Sequence, residues 1–151
     1  MILLIKKHRE MVLQLLFSFD MGCDSEEDLI AFFMHELSIS KRHVRAAYQK
    51  AKTIWESHQL FDQKIDEISN NWVIEPMERN ILRQALFEIL VEKQTLPQVS
   101  VTEAIRLCCK FSSPRVGGFV NAVLDAYCPK KQEIADDEPS TFQLSEGETT
   151  Q

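Results

Sequence analysis

Apolar residues recur along the first 128 positions at helical rather than strand spacing. The first pattern predicts a helix over 4–20. On a wheel at about 100° per residue, Met11, Val12, Leu15, Leu16 and Phe19 form its core arc. Lys6, Lys7, Glu10, Gln14 and Ser18 fill the opposite arc. Acids at Asp24, Glu26, Glu27 and Asp28 around Ser25 suit the positive end of a helix dipole. They predict a second helix carrying Leu29, Ile30, Phe32, Phe33 and Leu37. Ser40 can cap a third with Val44, Ala47, Tyr48, Ala51 and Trp55. A fourth stripe runs through Leu60, Phe61, Ile65, Ile68 and Trp72.

Pro76 fits the first position of a fifth helix, whose stripe is Ile81, Leu82, Ala85, Leu86, Ile89 and Leu90. Leu96-Pro97 breaks it. Ser100 and Glu103 read as a capping box before Ala104, Ile105 and Cys108. Ser113-Pro114 opens the last helix, with Val116, Val120, Val123, Leu124 and Tyr127 on one stripe, and Cys128-Pro129 ends it. The expected fold is therefore all-α, about seven helices in 1–128, with a break near 72–76 between two packed subdomains, 1–73 and 74–128. Residues 129–151 hold few strong apolar residues and are expected to be a disordered acidic tail.

Composition leaves this picture standing. The 151 residues are 44% apolar and 26% charged, with only 4 Gly and 5 Pro, which disfavours a turn-rich β fold. No apolar run reaches membrane-spanning length, and "MILLIKK" lacks the layout of a secretory signal, so a cytoplasmic protein is expected. Cys23, Cys108, Cys109 and Cys128 form no CxxC pair and read as small apolar fillers. The four histidines lack metal-ligand spacing, so no metal or other cofactor is expected. No nucleophile triad, paired-carboxylate motif or phosphate loop stands out, so no catalytic residue is assigned.

Charge singles out one stretch. The chain carries −6 overall; residues 129–151 set two lysines against six acids, leaving −2 on 1–128. Lys6, Lys7, His8 and Arg9 nevertheless stand together where a helix start favours acids. The bland reading is a solvated helix start; the functional one is a basic tip for phosphates. Phe17 falls on the polar arc, about a twentieth of a turn from Lys6 and Glu10, with Leu13 beside it. Either a neighbouring helix covers it or it marks a partner-docking face. In "SSPRVGGFVNAVLD", Phe119 lies off the stripe beside Arg115, after two helix-weakening glycines. It could be a platform for an unpaired base or a wedge in a subdomain seam. Glu78, Arg79 and Arg83 read as solvated, and Phe87 as a seam filler.

Four segments, "KKHREMVLQLLF", "ERNILRQALFEIL", "VSVTEAI" and "FVNAVLD", resemble the NusB family in order and spacing over about 5–128. That resemblance implies a two-subdomain helical fold and a transcription antitermination role without catalysis. It implies binding of boxA RNA in ribosomal RNA operon leaders, as a heterodimer with the ribosomal protein NusE. It further implies association with NusA and RNA polymerase; the residues leave the oligomeric state of the free chain open, a homodimer being one option. By position it assigns RNA contact to Lys6, Lys7, His8, Arg9 and Phe119, to which Arg115 could add attraction for phosphate. It assigns the NusE-facing surface to Phe17 and Glu78, with Leu13 adjoining. Ala122, Thr102 and Arg115 depart from common family residues. The residues alone leave open a second reading, a helical protein-binding adaptor with little RNA affinity.

Overall fold

The computed structural model describes residues 2–70 and 72–129. Seven α-helices follow one another: α1 (Ile2–Asp20), α2 (Glu26–Leu37), α3 (Lys41–Glu56), α4 (His58–Ser69), α5 (Pro76–Leu86), α6 (Pro97–Phe111) and α7 (Gly117–Asp125). α5 runs on into a π-helical segment, Phe87–Glu92, and a 3-10 turn, Pro114–Val116, leads into α7. No strand occurs among the described residues, as the apolar spacing predicts. The acidic segment 130–151, expected to be disordered, lies outside the described residues.

The helix starts show which local signals act. α2 has acids at Glu26, Glu27 and Asp28 in its first turn, but the Ser25 hydroxyl makes no capping bond. Charge against the dipole is therefore the operative term there. The Ser40 hydroxyl likewise meets His43 Nδ1, at 2.7 Å, instead of capping α3. α5 starts at Pro76 as expected, and its capping box is Glu75 with Glu78, which the sequence reading passed over. The expected Ser100–Glu103 box is corrected: α6 already begins at Pro97, so Ser100 lies inside it. A proline at the first helical position lacks only an N–H that would go unused, which permits the earlier start. Ser113 does cap the last helical run, its Oγ accepting from Arg115 N at 3.3 Å.

α4 ends at Ser69, and Asn70 follows with φ 55° and ψ −117°, which turns the chain out of the helical path. Trp72 thus leaves the helix its spacing suggested and sits in the link to α5.

α1 packs against both α3 and α5. Its Met11, Val12, Leu13, Leu15 and Leu16 are almost wholly buried. One apolar cluster runs from these residues through Phe33, Tyr48, Ile54, Phe61 and Ile81 to Val120 and Leu124. Phe87 joins it edge-to-face with Phe61, ring centres 6.4 Å apart. A buried ion network ties α1, α4 and α5 together. Arg83 donates Nε and Nη2 to the two oxygens of Asp62 at 2.8 and 2.7 Å, and Nη1 to Asp20 at 3.2 Å. Its guanidinium lies 5.2 Å from the Trp55 ring centre. Arg83 is therefore a buried clamp, not the solvated residue expected, because two carboxylates and an aromatic face offset its desolvation.

Candidate nucleic-acid interface

The basic stretch lies within α1 as expected, about one turn in, since the helix already runs from Ile2. Its four residues have different fates. Lys7 is exposed and Lys6 half-exposed. His8 is half-buried; burial, then neighbouring Lys50, lowers its pKa, which disfavours the imidazolium at neutral pH. Arg9 turns inward. It donates Nε and Nη2 to the Glu88 carboxylate at 3.0 and 2.9 Å, and Nη1 stands 3.6 Å from Glu103. Its side chain is only 11% exposed. As an RNA-facing cation Arg9 is corrected: a bidentate pair with a buried glutamate holds the fork.

Glu88 lies in the first turn of the π-helical segment and is buried. Its Oε1 also accepts from Ser100 Oγ at 2.8 Å. Arg9, Glu88 and Ser100 thus join α1, the π segment and α6. The next residue of α1, Glu10, accepts from Arg106 Nη1 at 2.6 Å and from Lys110 Nζ at 2.8 Å. Burial works against the Glu10 carboxylate, but these two donors outweigh it and lower its pKa. The Lys110 side chain remains 55% exposed. Sequence reasoning missed Lys110, because its place beside α1 depends on a contact a hundred residues away in the chain.

The other end of α5 carries the second cluster. Glu78, expected on the partner face, is 5% exposed; its Oε1 accepts from Glu75 N at 3.1 Å and its Oε2 from Ser112 Oγ at 3.0 Å. It is corrected to a residue that docks the end of α6 onto the start of α5. Past Ser112 come exposed Arg115 and half-buried Phe119. Phe119 is stacked on Trp72, with ring centres 4.5 Å apart and planes 6° apart. Gly117 is buried, and a Cβ there would meet Ile105 Cγ2 at 3.4 Å, whereas beside Gly118 the space is open.

Of the three partner-face residues, Phe17 alone keeps accessible surface: it is half-buried. Leu13 is fully buried, and its expected place on that face is corrected. The wheel assumes one covered side, while α1 is covered by both α3 and α5. Cys108 is buried, which pushes its thiol up to about 11; Cys23 and Cys109 are exposed rather than fillers. Thr102, one of the departing residues, lines a groove between α6 and α7 with Gln98, Asn121 and Asp125. No cluster able to hold a metal occurs among the described residues, and none of their helices is long and apolar enough to cross a membrane.

Comparison with known proteins identifies the architecture. The NusB family model matches residues 6–128. The chain belongs to the NusB family. The transcription antitermination protein NusB of Chlamydia pneumoniae is 32% identical over 123 residues, 80% of this chain and 77% of that protein. That of Dictyoglomus thermophilum is 38% identical over 119 residues, 77% and 78% of the two chains. Among solved structures, T. maritima NusB matches with a TM-score of 0.67 and 24% identity, over 86% of this chain and 96% of that one. A crystal structure of the antitermination factors NusB and NusE in complex with dsRNA matches with a TM-score of 0.61 and 24% identity, over 84% and 97%. These likenesses carry the NusB fold across nearly every described residue.

Proposed function

We propose that this chain is a transcription antitermination factor, which binds boxA RNA of ribosomal RNA operon leaders together with the ribosomal protein NusE. The observation that carries this reading is the family match across 6–128, which takes in every helix bearing an exposed candidate residue. In this reading Lys6 and Lys7 meet backbone phosphates at one end of the molecule, and Arg115 and Phe119 meet RNA at the other. The fold separates these ends. α1 and α5 run antiparallel, since Arg9 pairs with Glu88 and Asp20 with Arg83. Ten residues of helix between Glu78 and Glu88 amount to about 15 Å. Lys110, held by Glu10 on the intervening face, supplies a cation between them. The layout favours an extended single strand. His8 adds little charge at neutral pH, and Arg9 acts by fixing α1.

Phe17 is assigned to NusE, and NusA and RNA polymerase are assigned as the wider cytoplasmic assembly. Self-pairing of the free chain as a homodimer belongs to the same reading. No chemical step is involved.

The decisive experiment measures binding of a boxA-type RNA, with and without NusE, at several ionic strengths. Log affinity should fall linearly with log salt, with a slope of about −0.7 per phosphate neutralised on a single strand. Changing Lys6 and Lys7 to Glu should weaken RNA binding and spare NusE. Phe17→Asp should do the reverse, with helical content unchanged. Absence of RNA binding at every ionic strength, with NusE capture retained, would leave the protein-binding adaptor as the function.

A further inference from the structure

The Trp72–Phe119 stack has a consequence for which ring an RNA base can reach. An aromatic ring has two faces. Phe119 gives one to Trp72 at 4.5 Å and packs against the apolar core, so it is half-buried. Trp72 gives one face to Phe119 and remains 45% exposed, in a link between α4 and α5 that also leaves Val73 81% exposed. The more accessible aromatic surface of the pair is therefore on the indole. Its surroundings suit a nucleotide. Arg115 is exposed one helical turn before Phe119, and the backbone at Gly118 borders open space. A flat ring beside a cation and bare backbone matches a base with its phosphate, the ring for stacking and the cation for the charge.

We propose that Trp72 is the base-stacking residue of this chain, with Phe119 as its backing ring and Arg115 as a phosphate contact. The proposal rests on the RNA-binding reading above and deepens it, moving the base contact at that end from Phe119 to the indole stacked on it. Phe119 holds the indole parallel to itself, so the platform is set before RNA arrives and little ordering cost remains on binding. Because the indole comes from the α4–α5 link and the phenyl from α7, the platform exists only when those elements are docked.

The test uses the full chain and a fluorescently labelled single-stranded boxA-type RNA. Trp72→Ala should weaken binding by about tenfold, within the range for one stacked base. Trp72→Phe should recover most of that loss. A walk of single abasic nucleotides through the RNA should find one position at which wild type and Trp72→Ala bind equally. In wild type, RNA should quench indole emission, and Trp72→Phe should abolish that quenching. Equal affinities of wild type and Trp72→Ala for intact RNA would overturn the proposal. So would a penalty that persists at every abasic position, which would mean that the indole only props Phe119. So would loss of NusE capture with RNA affinity unchanged, which would give the surface to the protein partner. These three outcomes leave wild-type RNA binding intact and the general reading standing; failure of wild type to bind RNA at all would remove both.

Discussion

Lys7 and Arg9 are two positions apart in α1 and do unlike work. Lys7 stands in solvent, while Arg9 makes a two-pronged pair with buried Glu88. Removing one partner of a buried pair strands the other, at a typical cost of about 3–5 kcal/mol. Arg9→Ala should therefore lower stability by about 3 kcal/mol in urea unfolding. Lys7→Glu should leave the urea midpoint in place and reduce RNA affinity. Titration at single residues also fixes the response to acid. Glu10 is held low by Lys110 and Arg106 against the effect of burial, and Asp62 by Arg83 and Arg79 against the same effect. Their stabilisation is complete above the ordinary carboxylate range, about pH 4, and is lost as pH falls through their depressed folded-state values. His8 works in the same direction. Its folded pKa lies below its unfolded one, so below about pH 6.5 the unfolded chain takes up protons that the folded chain resists. Thermal melts should thus drift downward from pH 7 to pH 5 and fall steeply below pH 4, and Glu10→Gln should shallow the lower limb.

At the level of elements, periodicity is a good guide to faces and a poor one to ends. The stripes of α3, α5 and α7 were legible because their apolar residues, among them Val44, Ala51, Ile81, Leu86, Val120 and Leu124, are all buried, whatever else is buried beside them. α1 defeated the wheel at Leu13 because it has neighbours on more than one side. α4 stops before Trp72 because Asn70 turns out of the helical path at a positive φ, which nothing in the apolar spacing signals. Glu78 and Arg83 looked solvated because their partners, Ser112, Asp62 and Asp20, are remote in the chain. The exposure of three candidate side chains was legible for the converse reason. Lys6, Lys7 and Arg115 keep accessible surface, and no distant contact had to be foreseen. Trp72 was hidden because its ring belongs to a stripe in sequence and to a loop in space. The glycine pair opening α7 gives an element-scale prediction. Gly118 lacks a steric need for glycine, since an added Cβ meets nothing within 4 Å. Gly118→Ala should stabilise the protein by about 0.5–1 kcal/mol, read as a higher melting temperature.

Across the whole molecule, charge and packing set separate limits. The −2 of residues 1–128 is close to neutral, so the surface lysines and Arg115 can govern the local potential despite an acidic total. The −4 carried by 129–151 opposes any polyanion that approaches. Removing that segment should raise the association rate with RNA at low salt and change it little near 0.5 M, where screening reaches only about 4 Å. The apolar cluster, in contrast, draws on α1 through α7, with α1 wedged between α3 and α5. Cut the chain after position 73 and each piece loses the other half of its packing surface. Neither fragment should hold its helices when made alone, yet the two mixed together should refold as a complemented pair with a single melting transition. A gene split at that link would accordingly behave as a two-part reporter, silent until its halves are brought to the same place.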